Sequence, residues 1–162
     1  MLLPDYVNTI HAAIERFGPV DYYIAHSFGG LALMHALETI PDDEIGKIAL
    51  IAPATETTSA VDRFFRIFKL NDTVRAHFDE LVIKRGGAET AHYSIRRAIN
   101  HTKASILWIH DETDKVTPLE DALKVQEDGH LHLEFIKTTG LGHRRIYKDE
   151  VVIKKVLEFL NS

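Results

Sequence analysis

Residues 22–30, YYIAHSFGG, carry the reading of this chain: an aromatic and apolar run ends in His26-Ser27, and Gly29-Gly30 follow at once. Tyr22, Tyr23 and Ile24 favour an extended segment, while Leu31, Ala32, Met34, Ala36 and Leu37 beyond the glycines suit a buried helix. A serine at such a strand-to-helix turn is held out from the backbone as a free hydroxyl. At neutral pH a hydroxyl is a weak nucleophile, so Ser27 needs a base, an acid to orient that base, and donors for the developing oxyanion.

Outward from this turn the chain alternates strands and helices. Tyr6, Val7, Ile10, Ala13, Ile14 and Phe17 recur at helical spacing over residues 4–17, and Gly18-Pro19 stops them. Short apolar runs predict strands at 20–25, 47–52, 104–110 and 131–137, and helical patterns occupy 29–40, 118–126 and 147–160. This order predicts an α/β fold, a predominantly parallel sheet with helices on both faces, as one domain over residues 1–162. The long interval at about 54–103 holds no convincing strand and is expected to be an inserted helical cap. Within it Val61, Phe64, Phe65 and Phe68 form one helical stripe and Val74, Phe78, Leu81 and Val82 another, with Gly86-Gly87 as a break. Part of the aromatic stripe is expected to roof an apolar substrate pocket.

Ala25-His26-Ser27-Phe28-Gly29, between a predicted strand and a predicted helix, is similar to the G-x-S-x-G nucleophile elbow, and the chain resembles the α/β-hydrolase family. Ala25 and Gly29 supply the small residues two before and two after the serine, and Gly30 adds clearance. The resemblance implies that an acid and a histidine follow in that order. Residues 110–118, HDETDKVTP, are similar to the family's H-G-x-x-D-x-x-V-P segment, which selects Asp114 as the acid. Asp111 stands where the family usually has glycine and is the alternative. His143, on the glycine-containing loop 138–143 before the last helix, matches the catalytic histidine. The resemblance thus implies a serine hydrolase, carboxylesterase-like, cleaving an ester through an acyl-enzyme on Ser27, with the Phe28 N–H as one oxyanion donor.

The family's second oxyanion donor comes from a loop after an earlier strand, and only the 4–17 helix precedes the Ser27 strand here. The resemblance is therefore to the carboxyl-terminal portion of the family fold with its cap, the amino-terminal strands missing. Two alternatives follow. The chain is a weak or inactive hydrolase-like binding or scaffold domain, or a half-enzyme that needs those strands. The strand at 20–25 would also have an unpaired edge, which predicts a homo-oligomer or a partner chain there.

The remaining features narrow the function further. The chain has 162 residues, 45% hydrophobic and 27% charged, enough for a packed core. A net charge of −5 without any basic run argues against nucleic acid and anionic membrane surfaces, so the expected ligand is a small ester-like molecule. Cysteine is absent, which excludes disulfides and thiolate chemistry. No leader or membrane span is legible, and a cytoplasmic location is expected. Ten histidines invite a metal reading, yet His130 and His132 have no third ligand in view, so neither metal nor cofactor is expected. His26, beside the nucleophile, is expected to be a supporting or packing histidine rather than the base, because adjacent strand residues point to opposite sides and the turn separates its side chain from that of Ser27. His35, His77, His92 and His101 are expected to be structural or solvated, and Arg144 and Arg145 are weighed as contacts for an anionic substrate.

Overall fold

The computed structural model describes residues 2–162. Helix α1 (Leu3–Phe17) leads to strand β1 (Tyr22–His26), followed by α2 (Phe28–Leu37) and β2 (Lys47–Ile51). Helices α3 (Thr57–Ile67), α4 (Asp72–Gly86) and the short α5 (Ile95–Ala98) fill the interval before β3 (Ile106–Asp111). Then come α6 (Leu119–Glu127), β4 (Leu133–Thr138), the single turn α7 (Gly142–Arg145) and α8 (Glu150–Asn161). The expected α/β fold is the one observed. In the interval expected to lack strands, the only β contact among the described residues is an isolated bridge between Glu56 and Ser94.

The four strands are parallel and lie in chain order β1-β2-β3-β4. A sheet laid down in sequential order with crossovers of one hand puts every crossover helix on one face. Leu31, Leu37, Ile95, Ile99, Ala122 and Val125, from α2, α5 and α6 and the turn after α5, pack on that face against Ile48, Leu50, Ile106 and Trp108. Alternate strand residues point to the opposite face, where Ala49, Ile51, Leu107 and Ile109 meet Val152, Val156 and Leu160 of α8. Helix α8 starts later than the expected residue 147 because the Asp149 carboxylate accepts the Val151 and Val152 N–H groups and so sets the helix start.

Both sheet edges are strands, but they are unlike. β4 places Glu134 and Lys137 outward, a charged edge that discourages further pairing, whereas β1 leaves Tyr22 and Ile24 about half exposed, at 52% and 57%.

The turn after β1 depends on close approach to β2. Ser27 N–H donates to the Ile51 carbonyl at 3.2 Å, and the Ser27 carbonyl accepts from Gly30 and Ala54. A Cβ at Gly30 would stand 2.6 Å from Pro53 Cβ, whereas one at Gly29 would meet nothing within 4 Å. The glycine needed for clearance is therefore Gly30, and the close packing expected of Gly29 is corrected. Accordingly, Gly30→Ala is expected to lower the unfolding free energy by about 1–3 kcal/mol through overpacking, and Gly29→Ala to raise it by about 0.4–1 kcal/mol. Urea melts of the two variants check the opposite signs.

Candidate active site

Ser27 lies between β1 and α2 with φ 56° and ψ −130°, a backbone conformation in which a side chain is strained. That conformation aims Oγ away from the strand at the carboxyl end of the sheet, where open α/β sheets collect ligands. The loops leaving β3 and β4 reach the same end. His143 Nε2 is 2.9 Å from Ser27 Oγ, and its Nδ1 is 2.8 Å from Asp114 Oδ2. The network requires one tautomer: Nδ1–H donates to the carboxylate, and Nε2 accepts from the serine hydroxyl. The His143 side chain is 10% exposed and that of Asp114 is fully buried.

Asp114 is held by the loop that carries it. Its Oδ1 accepts from the Val116 and Thr117 N–H groups at 2.8 and 3.0 Å, and its Oδ2 accepts from the Thr117 hydroxyl at 2.9 Å. Burial by itself would raise the pKa of this carboxyl. The bonds from His143 and from Val116 and Thr117 outweigh it and keep the group below its ordinary value. Thr117 is fixed in turn by the fully buried His110, whose Nε2–H donates to the Thr117 carbonyl at 2.8 Å while Nδ1 accepts from the Trp108 indole at 3.3 Å. Burial lowers the pKa of His110, so its ring is neutral.

Asp111 does not reach His143 and is not placed as its acid. Its two oxygens accept from Thr113, Thr138, Leu141 and Gly142. Burial again works upward on the pKa, and these bonds more than reverse it, holding Asp111 well below the usual carboxylate range. A carboxyl whose folded pKa is depressed contributes stability above its unfolded value near 4, and that stability is lost as the pH falls toward the folded value. Unfolding free energy is therefore expected to decline gradually as the pH falls below about 6.5, where the unfolded chain protonates His26, His35 and His110 more readily than the folded one, and to drop more steeply below about pH 4, where the carboxyls of Asp111 and Asp114 add their share. The drop should be shallower in Asp111→Asn, as read by urea melts at each pH.

His26 packs its ring on His143 at 4.6 Å and on Tyr147 at 4.5 Å. Adjacent strand residues do point to opposite sides, but the His143 loop folds back over the sheet end and meets His26 there. Its Nε2–H donates to the His143 carbonyl at 3.0 Å, and burial lowers its pKa, so the ring is neutral. Arg145 donates to the Leu141 and Gly140 carbonyls, a role inside the loop. His35 bonds Glu38, His77 bonds the Thr73 carbonyl, and His92 and His101 lie beside His35 and Arg97. The rings of His130 and His132 lie 5.5 Å apart at a tilt of 59°, and among the described residues no three His, Cys, Asp or Glu side chains are grouped to hold a metal ion.

An open apolar groove of about 380 Å³ begins at Phe28, the residue after Ser27, and is lined also by Leu3, Phe78, Leu81, Val82 and Tyr93. The lining comes from the second stripe, on α4. Of the first stripe, Phe65 is buried against Phe78, and Phe64 and Phe68 are exposed rather than in the groove. No described helix is long and apolar enough to cross a membrane.

A family model described as serine hydrolase matches residues 2–105, a stretch that holds Ser27 and ends before Asp114 and His143. No curated protein matches the chain. Among solved structures, it is similar to Est1E from Butyrivibrio proteoclasticus at 17% identity and TM-score 0.67, over 99% of this chain and 70% of that one. Paleococcus ferrophilus monoacylglycerol lipase gives 18% identity and TM-score 0.64 over 99% and 75% of the two chains. Mouse alpha/beta hydrolase domain-containing protein 10 gives 14% and 0.63 over 99% and 68%. Likeness at these identities is one of fold, the α/β-hydrolase fold.

Proposed function

Because the chain belongs to the serine hydrolase family, we propose that it is a carboxylesterase-like enzyme in which Ser27 attacks the ester carbonyl and carries the acyl group. The observation behind this reading is the line from Ser27 Oγ through both ring nitrogens of His143 to Asp114 Oδ2, at 2.9 and 2.8 Å. His143 Nε2 takes the hydroxyl proton as Oγ bonds to the carbonyl carbon, and Asp114 stabilises the resulting imidazolium. The tetrahedral oxyanion forms beside the Phe28 N–H, the first donor of α2, which has no partner within its own helix and lies at the positive end of the helix dipole. As the intermediate collapses, the alcohol leaves with the proton from His143. Water then repeats the cycle on the acyl-enzyme.

The groove beside Phe28 supports an apolar acyl or alcohol group as the bound part of the substrate, since its volume lies within the range of small-molecule sites. In this reading α3 and α4 form the cap, and α4 roofs the groove. Hydrolysis of p-nitrophenyl acetate, butyrate and octanoate tests the proposal. The two longer esters are expected to have the higher kcat/KM, and an initial burst should match the enzyme concentration when deacylation is slower. Release no faster than with Ser27→Ala would refute it.

The groove also favours a second reading, an apolar-ligand-binding domain with little turnover. A single missing oxyanion donor costs about 2.7–4 kcal/mol, or a hundred- to a thousandfold in rate, and Phe28 is the one donor assigned. Saturable binding of octanoate that is unchanged in Ser27→Ala, without hydrolysis of any ester, favours this reading.

A further inference from the structure

The histidine of the site stands on a segment with little conformational preference of its own. Residues 139–142 include Gly140 and Gly142 at φ 82° and 59°, and α7, which starts at Gly142, is a single turn whose capping residue, Leu141, offers no side-chain acceptor. Glycine visits such angles as readily as others, so its torsions do not hold His143 in place. A two-bond alignment such as Asp114–His143–Ser27 nevertheless needs the backbone of residue 143 fixed to a fraction of an ångström.

The fixing groups come from outside the segment. Asp111, the last residue of β3, is fully buried, on a strand buried along its whole length. Its Oδ2 accepts from the Leu141 N–H at 3.0 Å and the Thr138 hydroxyl at 2.8 Å. Its Oδ1 accepts from the Gly142 N–H at 2.9 Å, the Thr113 N–H at 2.9 Å and the Thr113 hydroxyl at 2.6 Å. We infer that Asp111 is the positioning residue for His143: from the rigid end of β3 it caps the turn that carries the imidazole and sets where Nε2 meets Ser27. The inference rests on His143 being the base of the proposed hydrolase.

Geometry separates this role from that of the acid. The carboxylate of Asp111 bonds the two residues before His143, whereas Asp114 bonds the ring itself. On the other side of the segment, His26 takes the His143 carbonyl and Arg145 takes the carbonyls of Gly140 and Leu141. Asp111 is the acidic member of this set and the one that gathers the N–H groups. In Asp111→Asn an NH₂ replaces one oxygen, so one of Leu141 N–H and Gly142 N–H faces a donor, and that end of the turn is released.

The test combines kinetics with proton NMR of the full chain. The proton shared by His143 Nδ1 and Asp114 gives a low-field resonance in the resting protein, assigned by its loss in Asp114→Asn. In Asp111→Asn, with amide dispersion retained, this resonance is expected to vanish or broaden. For p-nitrophenyl butyrate kcat should fall by about ten- to a hundredfold with KM within about twofold. A sharp, unshifted resonance together with kcat within twofold of the unmodified chain would overturn the inference. Should Asp111→Asn fail to fold, Thr138→Val carries the test, since it removes one donor to the same carboxylate. Broadening of the resonance with a severalfold loss of kcat is expected, and no change in either overturns the role. The resonance belongs to the resting pair, so a chain that hydrolyses no ester yet loses the signal in Asp111→Asn separates failure of the hydrolase reading from failure of the positioning role.

Discussion

Ser27→Ala is expected to reduce kcat/KM for p-nitrophenyl butyrate by at least about a thousandfold while leaving the fold intact. The size follows from the division of labour. Without Oγ no acyl-enzyme forms, and what is left is water attack in a groove that still binds the ester. The loss should appear in kcat, because Phe28, Phe78 and Leu81, which line the groove proposed to hold the apolar part, are untouched. Stability should change little or fall by about 1 kcal/mol. Ser27 sits at φ 56°, an angle that strains any residue with a side chain, and alanine there keeps the same Cβ while giving up the bond to His143. Steady-state kinetics and a urea melt of the same sample check both halves. A variant that retained a tenth of the activity would show that hydrolysis does not pass through this hydroxyl.

Asp114→Asn is expected to cost about a thousand- to ten-thousandfold in kcat, with Ser27 and His143 both still present. The reason is the identity of the hydrogen bonds. Asp114 Oδ1 takes two backbone N–H groups, so the amide oxygen of asparagine is drawn to that side, and its NH₂ then points at His143 Nδ1. Two donors cannot face one another, so Nδ1 becomes the acceptor and the proton moves to Nε2. There it opposes the Ser27 hydroxyl rather than accepting from it. The imidazolium also loses its counter-charge in a nearly buried site. The pH dependence of kcat separates this effect from simple misfolding. Activity in the variant should recover in part at high pH, where hydroxide replaces the missing base function, whereas a misfolded chain would not recover.

Much of the fold was legible because a parallel sheet buried on both faces writes itself as short apolar runs separated by helical patterns. The residues 47–52 and 104–110 are such runs, and both fall on central strands. Strand and helix limits differed by a few residues where side chains settle the matter, as with Asp149 at the start of α8. The nucleophile turn, the acid and the histidine could be proposed because each follows a strand in a local pattern that needs no long-range information. Other features depend on which atoms meet across the fold. Gly29 and Gly30 are equal in sequence, and only the position of Pro53 makes the second the tight one. His26 touches His143 because the β4 loop returns over the sheet end. In sequence Asp111 reads as the alternative acid, and its bonds to Leu141 and Gly142, about thirty residues on, are invisible to any local pattern. Of the two apolar stripes at 61–82, periodicity alone does not say which meets the groove.

The most direct measurement is covalent labelling with a fluorophosphonate probe, read by intact mass and by mapping the modified peptide. The proposed chemistry predicts one adduct per chain, located on Ser27, absent in Ser27→Ala and much slower to form in His143→Ala. A folded chain that takes up no probe, or one labelled equally in Ser27→Ala, would contradict it.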